Sequence, residues 1–215
     1  MSYLIETGKY LADGAVISLS IFFLTLLFSF PLGMVAAVLY RSSKLLKKVI
    51  SFYTWLFRGT PLMLQLFFFM FALPAIGIPV DRMVVAYIAF IVNYTAYFTE
   101  VIRAGIENTE KDQIESAAVM GASKTQIYYH IIMPQAIRKQ IPTITNEVIT
   151  LIKDTALVTV IAISDIMRSV KEVVSRDFTL SPFLLAAVFY LLISYIIISI
   201  FKAIEKRYDF IENPL

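Results

Sequence analysis

The stretch GAVISLSIFFLTLLFSFPLGMVAAVLY, Gly14 to Tyr40, runs 27 residues without Asp, Glu, Lys, Arg or His. As a helix it would be about 40 Å long, more than enough to cross a hydrocarbon core of about 30 Å. Three more such runs follow: Gly59 to Val80 (22 residues), Met83 to Thr99 (17) and Phe178 to Phe201 (24). The segment NEVITLIKDTALVTVIAI, Asn146 to Ile163, is nearly as apolar and makes a fifth. Only 16% of the chain is charged and 59% is hydrophobic, against about 25% charged in soluble domains. The expected fold is an all-α polytopic membrane protein. It forms one unit over residues 1–215, with spans near 12–40, 49–74, 82–105, 138–163 and 179–204 and a cytoplasmic loop over 106–135.

The basic residues set the expected orientation. With the N-terminus outside, segments 41–48, 103–140 and 202–215 are inside and hold twelve Lys and Arg, including Arg41, Lys44, Lys47, Lys48, Arg138 and Arg207. The outer segments hold five; Arg58 and Lys153 lie within spans and complete the total of 19. The positive-inside rule therefore predicts N-terminus out and C-terminus in. The first apolar run follows Glu6, Lys9 and Asp13 rather than a basic leader, so it is expected to be retained. The absence of cysteine and the single His130 argue against a metal centre.

Prolines punctuate the spans at FPLG (Phe30 to Gly33), RGTP (Arg58 to Pro61), LPAIGIP (Leu73 to Pro79) and QIPT (Gln140 to Thr143). They mark kinks, breaks or boundaries. The polar interval between the third and fourth spans carries two capping-box patterns, Asp112 to Glu115 and Ser123 to Gln126. These predict short helices over Gln113 to Met120 and Lys124 to about Met133, the first ended by Gly121 and the second by Pro134. Ile114, Ala117, Ala118 and Gly121 would form a narrow face of small residues. A DNA-binding helix-turn-helix is disfavoured, because Glu107, Glu110, Asp112 and Glu115 would repel phosphates, so no nucleic-acid partner is expected.

The acids of the fourth span call for a function, since a charge in a bilayer costs at least about 2.5 kcal/mol unless it has a partner or a wet cavity. Thr143, Glu147, Thr150 and Asp154 are spaced by four, three and four residues, which makes one polar stripe on a helix. Lys153 lies off that stripe, and a structural ion pair with Asp154 is the alternative to a binding role. An ionised Glu147 would favour a cationic group. Asn93, Tyr94 and Tyr97 on the third span and Gln65 on the second could complete a pocket, with helix-to-helix hydrogen bonding the alternative for the amides. Glu100 and Arg103 suit a local salt pair. Arg58 suits lipid phosphates or the carbonyls beside the break, and Trp55, Tyr128 and Tyr129 suit interfacial anchors.

The segment ESAAVMGASKTQIYYHIIMP, Glu115 to Pro134, resembles the EAA loop of ABC importer permeases: Glu115, Ala117, Gly121, Ile131 and Pro134 match, while Ser116 and Met133 replace an alanine and a leucine. FRGTPLMLQLFFF, YTAYFTEVIRAGIENTEKDQIESA and NEVITLIKDTALV resemble the polar amino acid branch of that family. The resemblance implies a multi-pass subunit of the bacterial cytoplasmic membrane that pairs with a second permease, expected to be identical. It also implies two ABC ATPase subunits gripping Glu115, Ser116, Ala117, Ala118, Gly121, Ala122 and Ser123, and an extracytoplasmic substrate-binding protein. No glycine of the chain opens a G-x-x-x-x-G-K-[ST] loop, so no catalytic residue or cofactor is expected here, and ATP and Mg belong to the partner ATPase. The function expected is import of basic amino acids (arginine, lysine or histidine). A glutamine or glutamate importer and a proton-coupled secondary carrier are the alternatives.

Overall fold

The computed structural model describes residues 2–212, and the side chains of residues 3–206. Met1 and residues 213–215 of the expected unit lie outside the described residues, as does the side chain of Arg207. Among the described residues the chain is helical throughout, with no strand. The elements are α1 (Ser2–Leu39), α2 (Lys44–Gly59), α3 (Leu62–Ala75), α4 (Arg82–Glu107), α5 (Lys111–Val119), α6 (Lys124–Ile127), α7 (Met133–Lys139), α8 (Ile141–Asp154), α9 (Ile166–Asp177) and α10 (Ser181–Glu212). A π-helical turn over Tyr128–Ile132 joins α6 to α7, and a 3-10 segment over Thr155–Ile161 follows α8.

Among the described residues, three helical stretches are long and apolar enough to cross a membrane: Tyr3–Leu39, Arg82–Glu107 and Ser181–Lys206. A fourth is reached if α2 and α3, bent by 104° at their junction, count as one span. The segment 138–163, expected as a single span, is not one helix. Pro142 sits in the first turn of α8, where its missing amide costs nothing, and α8 gives way after 14 residues to the 3-10 segment, closed by left-handed Ala162 (φ 62°). By contrast Pro31 lies inside α1 without ending it.

α4 is the hub of the bundle; α1, α2, α3, α7 and α8 all pack against it. Its most apolar window is 67% buried, compared with 11% for the corresponding window of α10, whose Leu184, Leu191 and Tyr195 stand exposed. Phe90, Tyr94, Phe98 and Ile102 of α4 form the core with Val148, Leu151 and Ile152 of α8. Two glycines set the close spacing. A Cβ at Gly33 of α1 would stand 2.7 Å from Phe98 Cβ, and one at Gly105 of α4 would stand 2.5 Å from the Ala136 carbonyl oxygen.

The loop after α4 departs from expectation at its start. Glu110, not Asp112, occupies the N-cap position of α5, and it makes no side-chain cap bond; the Gln113 side chain donates to its carboxylate instead, at 3.1 Å. The box over Asp112 to Glu115 therefore does not form, because the helix begins two residues too early for it. Gly121 does adopt the left-handed conformation (φ 86°), with Gly121 N donating to Ala118 O and Ala122 N to Ala117 O, both at 3.0 Å, the Schellman pattern. The Ser123–Gln126 capping box is present. The helix expected to stop before Pro134 continues instead. Across the π turn, Met133 N donates to Tyr128 O, five residues back. The widened turn makes room for a proline ring that would otherwise collide with the carbonyl four residues earlier.

Candidate functional site

Thr60 precedes Pro61, and the proline ring drives it out of the helical region to φ −116°, ψ 142°. The helix breaks there, and the carbonyls of Phe57 and Thr60 lose their partners one turn on. In an apolar surrounding such groups must be satisfied from within the protein. Gln65 Nε2 donates to Phe57 O (3.0 Å), Thr60 O (3.1 Å) and Thr60 Oγ1 (2.9 Å). Asn93 Nδ2 donates to Phe57 O (2.9 Å) and to Gln65 Oε1 (3.1 Å). The two amides thus pin the bend to α4.

The bend walls one side of a cleft of about 370 Å³, which Tyr94 and Tyr97 of α4 and Glu147, Thr150 and Asp154 of α8 line from the other sides. Tyr94 OH donates to Asp154 Oδ2 at 2.7 Å, so one carboxylate is oriented by a phenol while the other, Glu147, has no hydrogen-bonding partner among the described residues. Arg58 also lines the cleft. Its guanidinium lies 5.3 Å from the centroid of the Tyr97 ring and 3.9 Å from Glu100 Oε2. The planar cation over the aromatic face is favourable and leaves the remaining guanidinium donors available.

Of the eight residues nominated as substrate-binding, six line this cleft: Asn93, Tyr94, Tyr97, Glu147, Thr150 and Asp154. Gln65 is buried behind the bend and Thr143 is exposed away from the cleft. The cleft also uses Arg58, Thr60, Pro61 and Leu157, which the nomination did not contain. Arg58, expected at lipid phosphates or the break carbonyls, instead lines the cleft because of the bend, and the adjacent RGTP break is its one sign in the sequence. Lys153 makes no ion pair with Asp154 among the described residues and lines a separate groove with Met167, Phe183 and Tyr190. The expected Glu100–Arg103 pair forms at 2.6 Å, and Arg103 also holds Glu107 at 2.6 Å.

At the far end of α4, the nominated coupling residues sit on the α5–α6 corner. Glu115, Ser116, Ala118, Gly121 and Ser123 are exposed, whereas Ala117 and Ala122 are half-buried and, with Ile114, pack against the core. The small-residue face is therefore split between inside and outside. Val119 and Met120 project most, at 89% and 87% exposure; two large apolar residues ending a polar helix were the overlooked signal. Gln135 Nε2 donates to Gln113 Oε1 at 2.6 Å, and Lys139 Nζ reaches Asn108 O at 3.3 Å, which ties α7 to α5 and to the end of α4.

Residues 29–210 match the model of a family described as binding-protein-dependent transport system inner membrane component. The chain is 33% identical over 211 residues to the probable glutamine ABC transporter permease protein of Bacillus subtilis (strain 168), covering 96% of this chain and 97% of the relative. It is 34% identical over 201 residues to the arginine transport system permease protein of the same organism, with 92% of each chain covered. A crystal structure described as an amino acid ABC transporter with histidines matches at a TM-score of 0.88 and 28% identity, covering 95% of this chain and 97% of that one.

Proposed function

Because the chain belongs to the family of binding-protein-dependent transport system inner membrane components, we propose that it is the transmembrane subunit of an ATP-driven importer for amino acids with cationic side chains. The observation that carries the substrate class is the charge balance of the cleft. Glu147 and Asp154 contribute two carboxylates and Arg58 one guanidinium, a formal balance of −1. An amino acid with a basic side chain carries a carboxylate, an ammonium and a further cation. Arg58 suits the carboxylate through paired hydrogen bonds, and the two acids suit the two cations. Tyr94 fixes the orientation of Asp154, so little side-chain freedom is lost when a ligand binds there.

A neutral amino acid such as glutamine is the second reading. It draws on the arginine–aspartate couple, which suits any zwitterion, and on the relative named for glutamine. The two readings part at Glu147. A panel of arginine, lysine, histidine, glutamine and glutamate, titrated onto the transporter and its Glu147→Gln variant, separates them. Cationic ligands should weaken by at least about 1.5 kcal/mol, or more than tenfold, and glutamine should not. Unchanged arginine affinity removes Glu147 from the site.

In this proposal the chain spans the bacterial cytoplasmic membrane five times, N-terminus out, the fourth crossing being α8 with its 3-10 extension. It pairs with an identical copy, receives substrate from an extracytoplasmic binding protein, and draws its energy from two ATPase subunits that hold ATP and Mg. The α5–α6 corner, with Val119 and Met120 outermost, is the surface those subunits grip. A partner shifts the two arrangements of the bundle only by contacting them differently. The ties from Gln113 to Gln135 and from Lys139 to Asn108 support the corner, α7 and the end of α4 moving together. Uptake into sealed vesicles should require ATP and the co-purified ATPase. Uptake driven by a proton gradient alone would overturn the import mechanism.

A further inference from the structure

Where α1 turns into α2, a second polar cleft of about 490 Å³ opens, lined by Arg41, Ser42, Ser43, Lys44 and Lys47 with Glu107 at its edge. Lys48 is exposed next in sequence. Among the described residues no carboxylate lies within ion-pair distance of Arg41, Lys44 or Lys47. Glu107 is already engaged by Arg103. Lys47 and Arg103 both lie against the Tyr40 ring, at 5.5 and 5.3 Å from its centroid, and this holds Lys47 toward the cleft. The cleft thus carries three cations against the single carboxylate of Glu107, which Arg103 already engages.

From its rim an apolar stripe runs along α2: Leu45, Val49, Phe52 and Trp55, spaced by four, three and three residues, all more than half exposed. Cations at one end and a continuous exposed apolar stripe leading away match a molecule with an anionic head and acyl tails. We infer that this corner is a binding site for an anionic phospholipid, its phosphate in the cleft and its chains along α2. Four basic residues immediately flanking a membrane helix are the pattern that anionic headgroups select. The chemistry is independent of the import reading and needs only that the chain sits in a bilayer. Arg58 lies in the last turn of α2, so a lipid that holds one end of this helix also steadies the wall of the substrate cleft at the other.

Trp55 is the only tryptophan of the chain and lies on the stripe, so its fluorescence reports the neighbouring chains directly. Full-length protein is reconstituted in nanodiscs of phosphatidylcholine and phosphatidylglycerol, one of the two carrying brominated acyl chains. The expected result is quenching that favours brominated phosphatidylglycerol by at least about tenfold in relative association. Lys44→Gln should lower that preference about fivefold, and Arg41→Gln with Lys44→Gln and Lys47→Gln should abolish it. Equal quenching by both lipids in the native protein would overturn the proposal. So would a preference that survives the triple substitution, or one abolished by excess inorganic phosphate, which would mark a site for a free anion. Loss of ATPase association in the triple variant with lipid preference intact would assign the cluster to a protein partner instead.

Discussion

Pro61 and Pro134 impose the same local defect, a missing amide hydrogen and a ring pressed on the turn before it, yet the chain answers them in opposite ways. At Pro61 the helix ends, turns through 104° and exposes two carbonyls that Gln65 and Asn93 take up. At Pro134 it widens by one residue into a π turn and goes on. The difference lies in the surroundings rather than in the proline. Amide side chains waiting at the break make a bend affordable at the first site and place Arg58 in a cleft. At the second the ladder is kept by lengthening its bonds from four residues to five. A proline announces that a bond will be missing; the neighbours decide whether a site is built there.

This comparison can be broken most sharply at Gln65. Gln65→Leu keeps the volume but strips Thr60 O of its donor and Phe57 O of one of two, and should destabilise the protein by about 1–3 kcal/mol. Thermal unfolding in a defined detergent measures it, and a melting temperature equal to that of the native protein would show that the bend needs no such pins. A smaller effect, within about 1 kcal/mol of stability, is expected for Pro134→Ala, where the π turn should relax toward regular helix. Spin labels on α5 and α7 should then report a changed separation; an unchanged one would mean that the π turn has another cause. The smallest effect belongs to an exposed tie far from both prolines. Tyr10 OH and then Arg168 hydrogen-bond the Glu172 carboxylate and hold it below the usual carboxylate range. Its contribution is full above the unfolded value of about 4.3 and is lost as pH falls through the lower folded value. For so exposed a group this amounts to less than about 1 kcal/mol. Melting curves of the native protein and Glu172→Gln should therefore differ slightly at neutral pH and converge as pH falls through the lowered folded value; divergence on acidification would reverse the assignment.

Much of the bundle was legible in the chain because it is written in composition. The uncharged runs from Gly14, Met83 and Phe178 became α1, α4 and α10, and Gly121 and Ser123 shaped the loop corner through bonds that stay within a few residues. The sequence also put Glu147, Thr150 and Asp154 on one stripe, and the cleft uses all three. What escaped depends on distance. Gln65 and Asn93 share an apolar environment with no hint in their spacing that both would serve the carbonyls freed by Pro61. Arg58 turns toward the cleft only because the chain bends by more than a right angle beside it. The short length of α8 came from the run after Asp154, whose Thr and Val residues read as membrane-compatible but fold as a tighter, less durable helix.

The two close approaches to α4 carry one more implication. Gly33 touches it at Phe98, and its own Gly105 touches α7 at Ala136, two helical turns further on. Backbone meets side-chain root at the first point, and backbone meets backbone at the second, with the Gln140 side chain beside it. A displacement of α7 toward α4 would therefore meet main chain first, as in a hinge whose leaves already touch. A single methyl group inserted at Gly105 would force that joint apart.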